Sequence, residues 1–188
     1  IGHTTEADIV REGSIAGDYL GEQIASELIT LVDFANSHNG EILPMPIYMD
    51  DEGVESHDAI LIEDGVLKSF MHNKDSAQHF NMPLTGNARA FSYTDEPLIR
   101  MRNTAILPGK DKLEDMIASI DDGYLLMRPT NGQADTTSEF MFGVQMGYEI
   151  KGGKLGKAIT DTTISGVAFD MLKEVTMLSD EMVWGCAG

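Results

Sequence analysis

Short apolar segments separated by turn-forming residues set the hydrophobic pattern of this chain, and most of them predict strands. Residues 28–34 combine β-branched and large apolar side chains, which is typical of a buried strand. Residues 59–63 and 66–70 flank Asp64 and Gly65, a pair that suits a type I′ turn. This region therefore predicts a β-hairpin.

The second half of the chain has the same kind of pattern. Residues 124–127 and 140–150 predict strands, because apolar and aromatic side chains are concentrated there. Gly152 and Gly153 predict the turn that leads into a further strand over 155–164. A second hairpin is therefore expected.

Helical spacing of apolar residues is confined to short stretches. The predicted helices lie over residues 3–12, 74–80, 113–120 and 167–178. Asp111 is the expected N-cap of the third helix, and Gly123 is the expected stop. Because helices and strands do not alternate in βαβ units, the sequence predicts an α+β fold, with a predominantly antiparallel β-sheet, hairpins and a few short helices.

Length and composition agree with one folded domain. The chain has 188 residues, of which 42% are hydrophobic, and this is enough to bury a sizeable core. It begins at Ile1 and stops at Gly188, directly after a motif-like stretch. We therefore expect residues 1–188 to be an excerpt of a longer protein, truncated at both ends.

Charge and cysteine content argue against several classes of function. Thirty-one acidic and thirteen scattered basic residues give a formal charge of −18, so nucleic acid is not an expected partner. No apolar run approaches the ~18 residues of a membrane span, so no membrane partner is expected either. The single cysteine allows no internal disulfide, which indicates a reducing compartment and a cytoplasmic location.

Local motifs alone do not predict a catalytic site. No two of the five histidines have the i, i+4 spacing of a helical zinc site. The acidic clusters at 50–52 and 121–122 lack the alternating ligands of a calcium loop and predict solvated turns. Taken one at a time, each histidine and the lone cysteine are expected to have an ordinary structural role.

A family resemblance changes this interpretation, because several segments recur in order along nearly the whole chain. The segments are GHTTEAD at 2–8, GEQIAS at 21–26, EDGVLKSFMHN at 63–73, TGNARAFSY at 85–93, PLIRMRNTAILPG at 97–109, EFMFGVQMGYEIKGGK at 139–154 and WGCAG at 184–188. Together they resemble the C-terminal domain of the TldD/PmbA family, first described as modulators of DNA gyrase and now regarded as metallopeptidases. The resemblance implies that residues 1–188 are a C-terminal metallopeptidase-type domain.

Members with a TldD-type site hold zinc through an HExxxH helix and a distant cysteine, and the resemblance implies the same chemistry here. His3 matches the second histidine and Cys186 the distant cysteine, whereas the first histidine and the general-base glutamate are expected just before Ile1. Two imidazoles and a thiolate suit Zn²⁺ and leave a fourth position for water. Glu6 and Asp8 follow His3 on the expected helix, either as groups that orient a ligand histidine or as surface charge.

The resemblance leaves two interpretations open. One is a zinc-dependent peptidase domain for unfolded or flexible peptides, which would be inactive as this excerpt alone because part of its motif is missing. The other is a non-catalytic PmbA/TldE-like partner or a peptide-binding scaffold, and His3 together with Cys186 favours the TldD-type branch. The expected partners are a peptide substrate and either a PmbA/TldE-like subunit or a second copy of the protein.

The resemblance also implies how a peptide would be held, as an added strand along an exposed sheet edge, where pairing reads the main chain more than the side chains. The residues expected near such a groove are Gly86, Asn87, Arg100 and Asn103.

Overall fold

The computed structural model describes residues 1–185 and has an α+β fold built mostly from antiparallel strands. Within this range the helices are α1 Ala7–Arg11, α2 Lys74–Phe80, α3 Leu113–Ala118 and α4 Ala168–Lys173, with 3-10 turns at His3–Thr5 and Ile15–Tyr19. The strands of the same residues are β1 Leu31–Phe34, β2 Ser37–His38, β3 Glu41–Ile42, β4 Ala59–Glu63, β5 Val66–Leu67, β6 Ala88–Arg89, β7 Leu98–Ile99, β8 Asn103–Ile106, β9 Asp122–Ala134, β10 Glu139–Lys151 and β11 Lys154–Val167.

A four-stranded sheet of order β5-β4-β1-β8 forms the centre of the molecule, and every neighbouring pair in it is antiparallel. The hairpin between β4 and β5 confirms the predicted turn. Asp64 and Gly65 have φ angles of 48° and 79°, the left-handed conformation that a type I′ turn requires at both positions.

The main hydrophobic core joins this sheet to helices α1 and α4. Leu61 and Ile62 of β4 are fully buried there against residues of α1 and α4, such as Val10 and Phe169. A smaller cluster holds Val32 and Phe34 of β1 together with Leu43, Ala105, Leu107 and Trp184. Strand β1 is buried along its whole length because it contributes to both clusters.

The long strands β9, β10 and β11 form a separate three-stranded sheet of order β11-β10-β9. Gly152 and Gly153 turn the chain between β10 and β11 with φ angles of 54° and 72°, as the sequence predicted. Most residues of β9 and β11 are exposed, so the apolar pattern there understated the length of both strands.

The helix over residues 74–80 is confirmed at both ends. Asn73 and Ser76 form a reciprocal capping box at its start, and Asn81 ends it in the left-handed conformation. None of the helices in residues 1–185 has the length and apolar character that crossing a bilayer requires.

The prediction of one continuous helix over residues 3–12 is wrong, because the helix is interrupted at Glu6. Glu6 has an extended conformation, with φ −74° and ψ 120°, and separates the 3-10 turn from α1. The reason is tertiary pairing: Met71 N donates to Thr5 O at 2.9 Å, and Ala7 N donates to Met71 O at 3.1 Å. His3 and Asp8 are therefore not on one continuous helix.

Three further elements are shorter or differently capped than predicted. Asp111 does not cap α3, because its Oδ2 accepts from Leu178 N at 2.9 Å. Helix α4 stops at Lys173 rather than at residue 178, since Leu172 O accepts from Ser26 N at 2.9 Å. The strand predicted over residues 28–34 begins only at Leu31.

Candidate functional site

His3 lies in a 3-10 turn that side-chain hydrogen bonds hold in place. Thr5 Oγ1 donates to Gly2 O at 3.0 Å, and Ser14 Oγ donates to Thr4 O at 2.8 Å. Both threonines are buried, whereas the His3 side chain is 61% exposed. The local fold therefore anchors the backbone of the turn in the core and leaves the imidazole accessible.

The carboxylate of Glu6 lies beneath this imidazole and is completely buried. Its Oε1 is 3.0 Å from His3 Nδ1. When Glu6 is ionised, Nδ1 is the donor of this hydrogen bond, and the lone pair of His3 Nε2 remains free for another partner. The extended conformation of Glu6 is what turns its side chain inward, so the break in the predicted helix creates this contact.

The second oxygen of Glu6 faces a positive charge. Glu6 Oε2 lies 3.8 Å from Arg100 Nη1, and among residues 1–185 it has no hydrogen-bond partner. Burial raises the pKa of Glu6, and the nearby His3 imidazole acts in the opposite direction. His3, Glu6 and Arg100 thus form one small electrostatic cluster.

Of the two acidic residues predicted to orient a histidine, the structure brings only Glu6 to His3. Asp8 is partly exposed, and its Oδ1 accepts from Ile9 N at 2.9 Å. No group of three His, Cys, Asp or Glu side chains within residues 1–185 is arranged to hold a metal ion. Cys186, the other predicted ligand, lies outside the described residues.

A carboxylate that accepts from one ring nitrogen of a histidine is the usual support for a histidine that ligates a metal through its other nitrogen. The paired His3 and Glu6 therefore fit a metal centre, and they supply one imidazole that is already oriented. Further ligands would have to complete the coordination of Zn²⁺.

Three of the four predicted groove residues are buried. Gly86 has φ 71°, and a Cβ there would lie 2.7 Å from Ser56 Cα. Asn103 exchanges hydrogen bonds with the backbone of Met45 and donates to Phe34 O. These two residues support the loops that surround them.

The other two groove residues lie side by side. Asn87 Nδ2 donates to Arg100 O at 2.9 Å, and Arg100 N donates to Asn87 O at 3.0 Å. Asn87 is fully buried, whereas the Arg100 side chain is 45% exposed and reaches the His3–Glu6 pair. Arg100 is therefore the predicted groove residue that connects the surface with the candidate metal centre.

A buried ion pair, absent from the predicted site, holds this region together. Arg102 Nε donates to Asp33 Oδ2 at 2.9 Å, and both side chains are completely buried. Arg102 also donates to the backbone oxygens of Asp33, His57 and Thr85. The sequence signal that could have found it is the single charge of Asp33 within the apolar segment 28–34, since a buried carboxylate needs a partner.

Comparison with known proteins shows which family this chain resembles. Residues 1–187 match the PmbA/TldA metallopeptidase C-terminal domain family. The Metalloprotease TldD homolog of Buchnera aphidicola subsp. Schizaphis graminum is 37% identical over 184 residues, 97% of this chain and 38% of that protein. The Zinc metalloprotease TldD homolog of Saccharolobus solfataricus is 35% identical over 182 residues, 96% of this chain and 40% of that protein.

The fold also matches a solved structure. The crystal structure of TldE from Thermococcus kodakarensis superposes with a TM-score of 0.83 at 27% identity, covering 96% of this chain and 41% of that one. The chain thus spans about two-fifths of the length of each of these proteins.

Proposed function

The chain belongs to the PmbA/TldA metallopeptidase C-terminal domain family, and from this premise we propose that it is the zinc-binding C-terminal domain of a TldD-like peptidase. The proposed substrates are unfolded or flexible peptides. The observation that carries the proposal is the hydrogen bond of 3.0 Å between the accessible His3 imidazole and the buried Glu6 carboxylate. The names of the two sequence relatives, both metalloproteases, support it.

In this proposal His3 and Cys186 are two of the zinc ligands, and Glu6 is the group that positions His3. An ionised Glu6 accepts a hydrogen bond from His3 Nδ1, which would favour the tautomer with a free Nε2 and orient the ring toward a metal. Asp8 adds negative charge close to Glu6 without touching His3. When bound, zinc would lower the pKa of a coordinated water and polarise the peptide carbonyl.

Residues 1–188 alone are expected to bind zinc weakly and to hydrolyse no peptide. Within residues 1–185 no three ligand side chains come together to hold a metal ion. Purified 188-residue chain with sustained peptidase activity would contradict this part of the proposal.

The test is the zinc content of the full-length protein and of three variants. Cys186→Ser and His3→Gln each remove a proposed ligand, so both variants should lose most of the metal. His57→Gln, in which an exposed histidine is replaced, is the matched control and should keep the metal. Unchanged zinc in Cys186→Ser or in His3→Gln would remove that residue from the site.

A second candidate function is a non-catalytic PmbA/TldE-like partner or a peptide-binding scaffold. The structural match to TldE supports this alternative, because that protein has the same fold over 96% of this chain. Absence of stoichiometric zinc from the full-length protein, together with retained peptide binding, would support this alternative.

The proposed assembly pairs this protein with a PmbA/TldE-like subunit or with a second copy of itself. Light scattering of the purified full-length protein, alone and after co-expression with such a subunit, distinguishes the two assemblies by mass. A strictly monomeric protein under both conditions would refute the proposal.

A further inference from the structure

A cavity of 280 Å³, whose lining includes Arg100, has an unusual set of side chains for so acidic a chain. Its walls include two arginines and several apolar side chains: Arg89, Arg100, Ile47, Met49 and Phe91, with Asp51 and Ala90 at the same opening. The chain has only thirteen basic residues against thirty-one acidic ones. Two guanidinium groups therefore give this cavity a positive charge, although the chain as a whole is negative.

Arg100 belongs both to this cavity and to the candidate metal centre. Its Nη1 lies 3.8 Å from Glu6 Oε2, and Glu6 Oε1 lies 3.0 Å from His3 Nδ1. Arg100 also donates to Ile99 O at 3.1 Å. With five N–H donors on each guanidinium, Arg100 has donors left over after these contacts.

Arg89 contributes an incompletely bonded charge to the same cavity. Its Nη2 donates to Met101 O and its Nη1 contacts Met45 Sδ, but its buried Nε has no acceptor among residues 1–185. Burial lowers the pKa of Arg89, the negative charge of Asp33 opposes this effect, and the positive charges of Arg102 and Arg100 add to it. An anion in the cavity would add a favourable charge interaction with this guanidinium.

Asp51 does not fully supply that anion. Its Oδ2 accepts from Ala90 N at 2.7 Å, and its side chain is exposed to water. A carboxylate that solvent and a backbone amide already satisfy is a weak partner for a guanidinium. Ile47, Met49 and Phe91 supply apolar surface at the same opening, against which the hydrocarbon part of a bound peptide could pack.

We propose that Arg89 and Arg100 form a subsite for a carboxylate of the peptide substrate, connected to the proposed metal centre through Arg100. The planar fork of arginine matches the two oxygens of a carboxylate. The carboxylate could belong to an acidic side chain or to the C-terminus of the peptide. This inference rests on the proposed peptidase function and names the class of peptide that the same site would select.

The test measures peptide affinity in the metal-free full-length protein, so that cleavage does not interfere. Four fluorescent peptides of one sequence carry either Glu or Gln at a central position and either a free or an amidated C-terminus. The peptide that retains the recognised carboxylate should bind about tenfold more tightly than its uncharged counterpart, equivalent to 1.4 kcal/mol. A preference at the central position identifies the side chain, and a preference at the end identifies the C-terminus.

Arg100→Gln should abolish this preference, because the guanidinium that pairs with the carboxylate is lost. Lys154→Gln removes a charge from the exposed β11 strand and is the matched control that should retain the preference. Because Arg89 also bonds within the fold, Arg89→Gln is compared only after its thermal unfolding has been shown to match the parent.

Equal affinity for all four peptides, or no binding of any of them, would overturn the proposed subsite. So would a preference that survives in Arg100→Gln. The zinc content of the parent protein is measured in a separate experiment, so a failed subsite is distinguishable from a failed peptidase proposal.

Discussion

Acidification should destabilise this fold through a single buried histidine, His72. Its ring is completely buried: Nδ1 lies 3.0 Å from Ser76 Oγ, Nε2 lies 3.3 Å from Met82 Sδ, and Phe70 and Phe80 pack nearby. Burial lowers the pKa of His72 from 6.5 to about 4. The imidazole is therefore neutral in the folded protein over a pH range in which the unfolded chain already takes up a proton.

The sign of the effect follows from proton binding. Between pH 6.5 and pH 4 the unfolded state binds more protons at His72 than the folded state, so stability falls as the pH falls through this window. From these two pKa values, lowering the pH from 7.5 to 5 removes about 2 kcal/mol of the free energy of unfolding.

Urea unfolding at the two pH values measures this loss, with the fluorescence of Trp184 as the probe. Trp184 is the single tryptophan, and its ring packs edge-on against Phe34 at 5.9 Å, so unfolding changes its surroundings. In His72→Gln about 2 kcal/mol of the pH dependence should disappear, whereas His57→Gln, at an exposed position, should retain it. A pKa of His72 near 6.5, measured by NMR in the folded protein, would refute the reasoning whatever the stabilities.

Two further predictions concern the scaffold. Arg102→Met should lower the free energy of unfolding, measured in urea, by roughly 3–5 kcal/mol, because it leaves Asp33 buried without its ion-pair partner. A loss below about 1 kcal/mol would contradict this prediction and show that water replaces the guanidinium. Gly65→Ala should destabilise the fold more than Gly40→Ala, although both glycines have a positive φ. A Cβ at Gly65 would lie 2.4 Å from Ala25 O, whereas a Cβ at Gly40 would have no atom within 4 Å. Equal melting temperatures of the two variants would contradict this contrast.

The parts of the fold that are determined by residues adjacent in the sequence were predictable from the sequence. The turn at Asp64 and Gly65 follows from their tolerance of positive φ, and α2 follows from a local capping box. The inward turn of Glu6 was not predictable in this way, because it depends on pairing with Met71, which is far away in the chain. The local sequence there favours a continuous helix, and tertiary hydrogen bonds override it.

The candidate site was predictable only in part, for the same reason. Family resemblance alone pointed to His3 and to Glu6, and the structure supplies the hydrogen bond that connects them. Arg102 and Asp33 are 69 residues apart, so no local pattern could pair them. Arg100 matters because it reaches Glu6 from a different segment of the chain, which only the folded structure reveals.

The coordination of zinc in the full-length protein tests the proposed centre. X-ray absorption at the zinc edge should show nitrogen ligands at about 2.0–2.1 Å and one sulfur at about 2.3 Å. In Cys186→Ser loaded with excess zinc the sulfur should vanish, and in Glu6→Gln zinc affinity should fall by roughly 10–100-fold while the sulfur remains. A zinc site without sulfur in the parent protein, or one whose affinity is indifferent to Glu6→Gln, would contradict the centre proposed around His3.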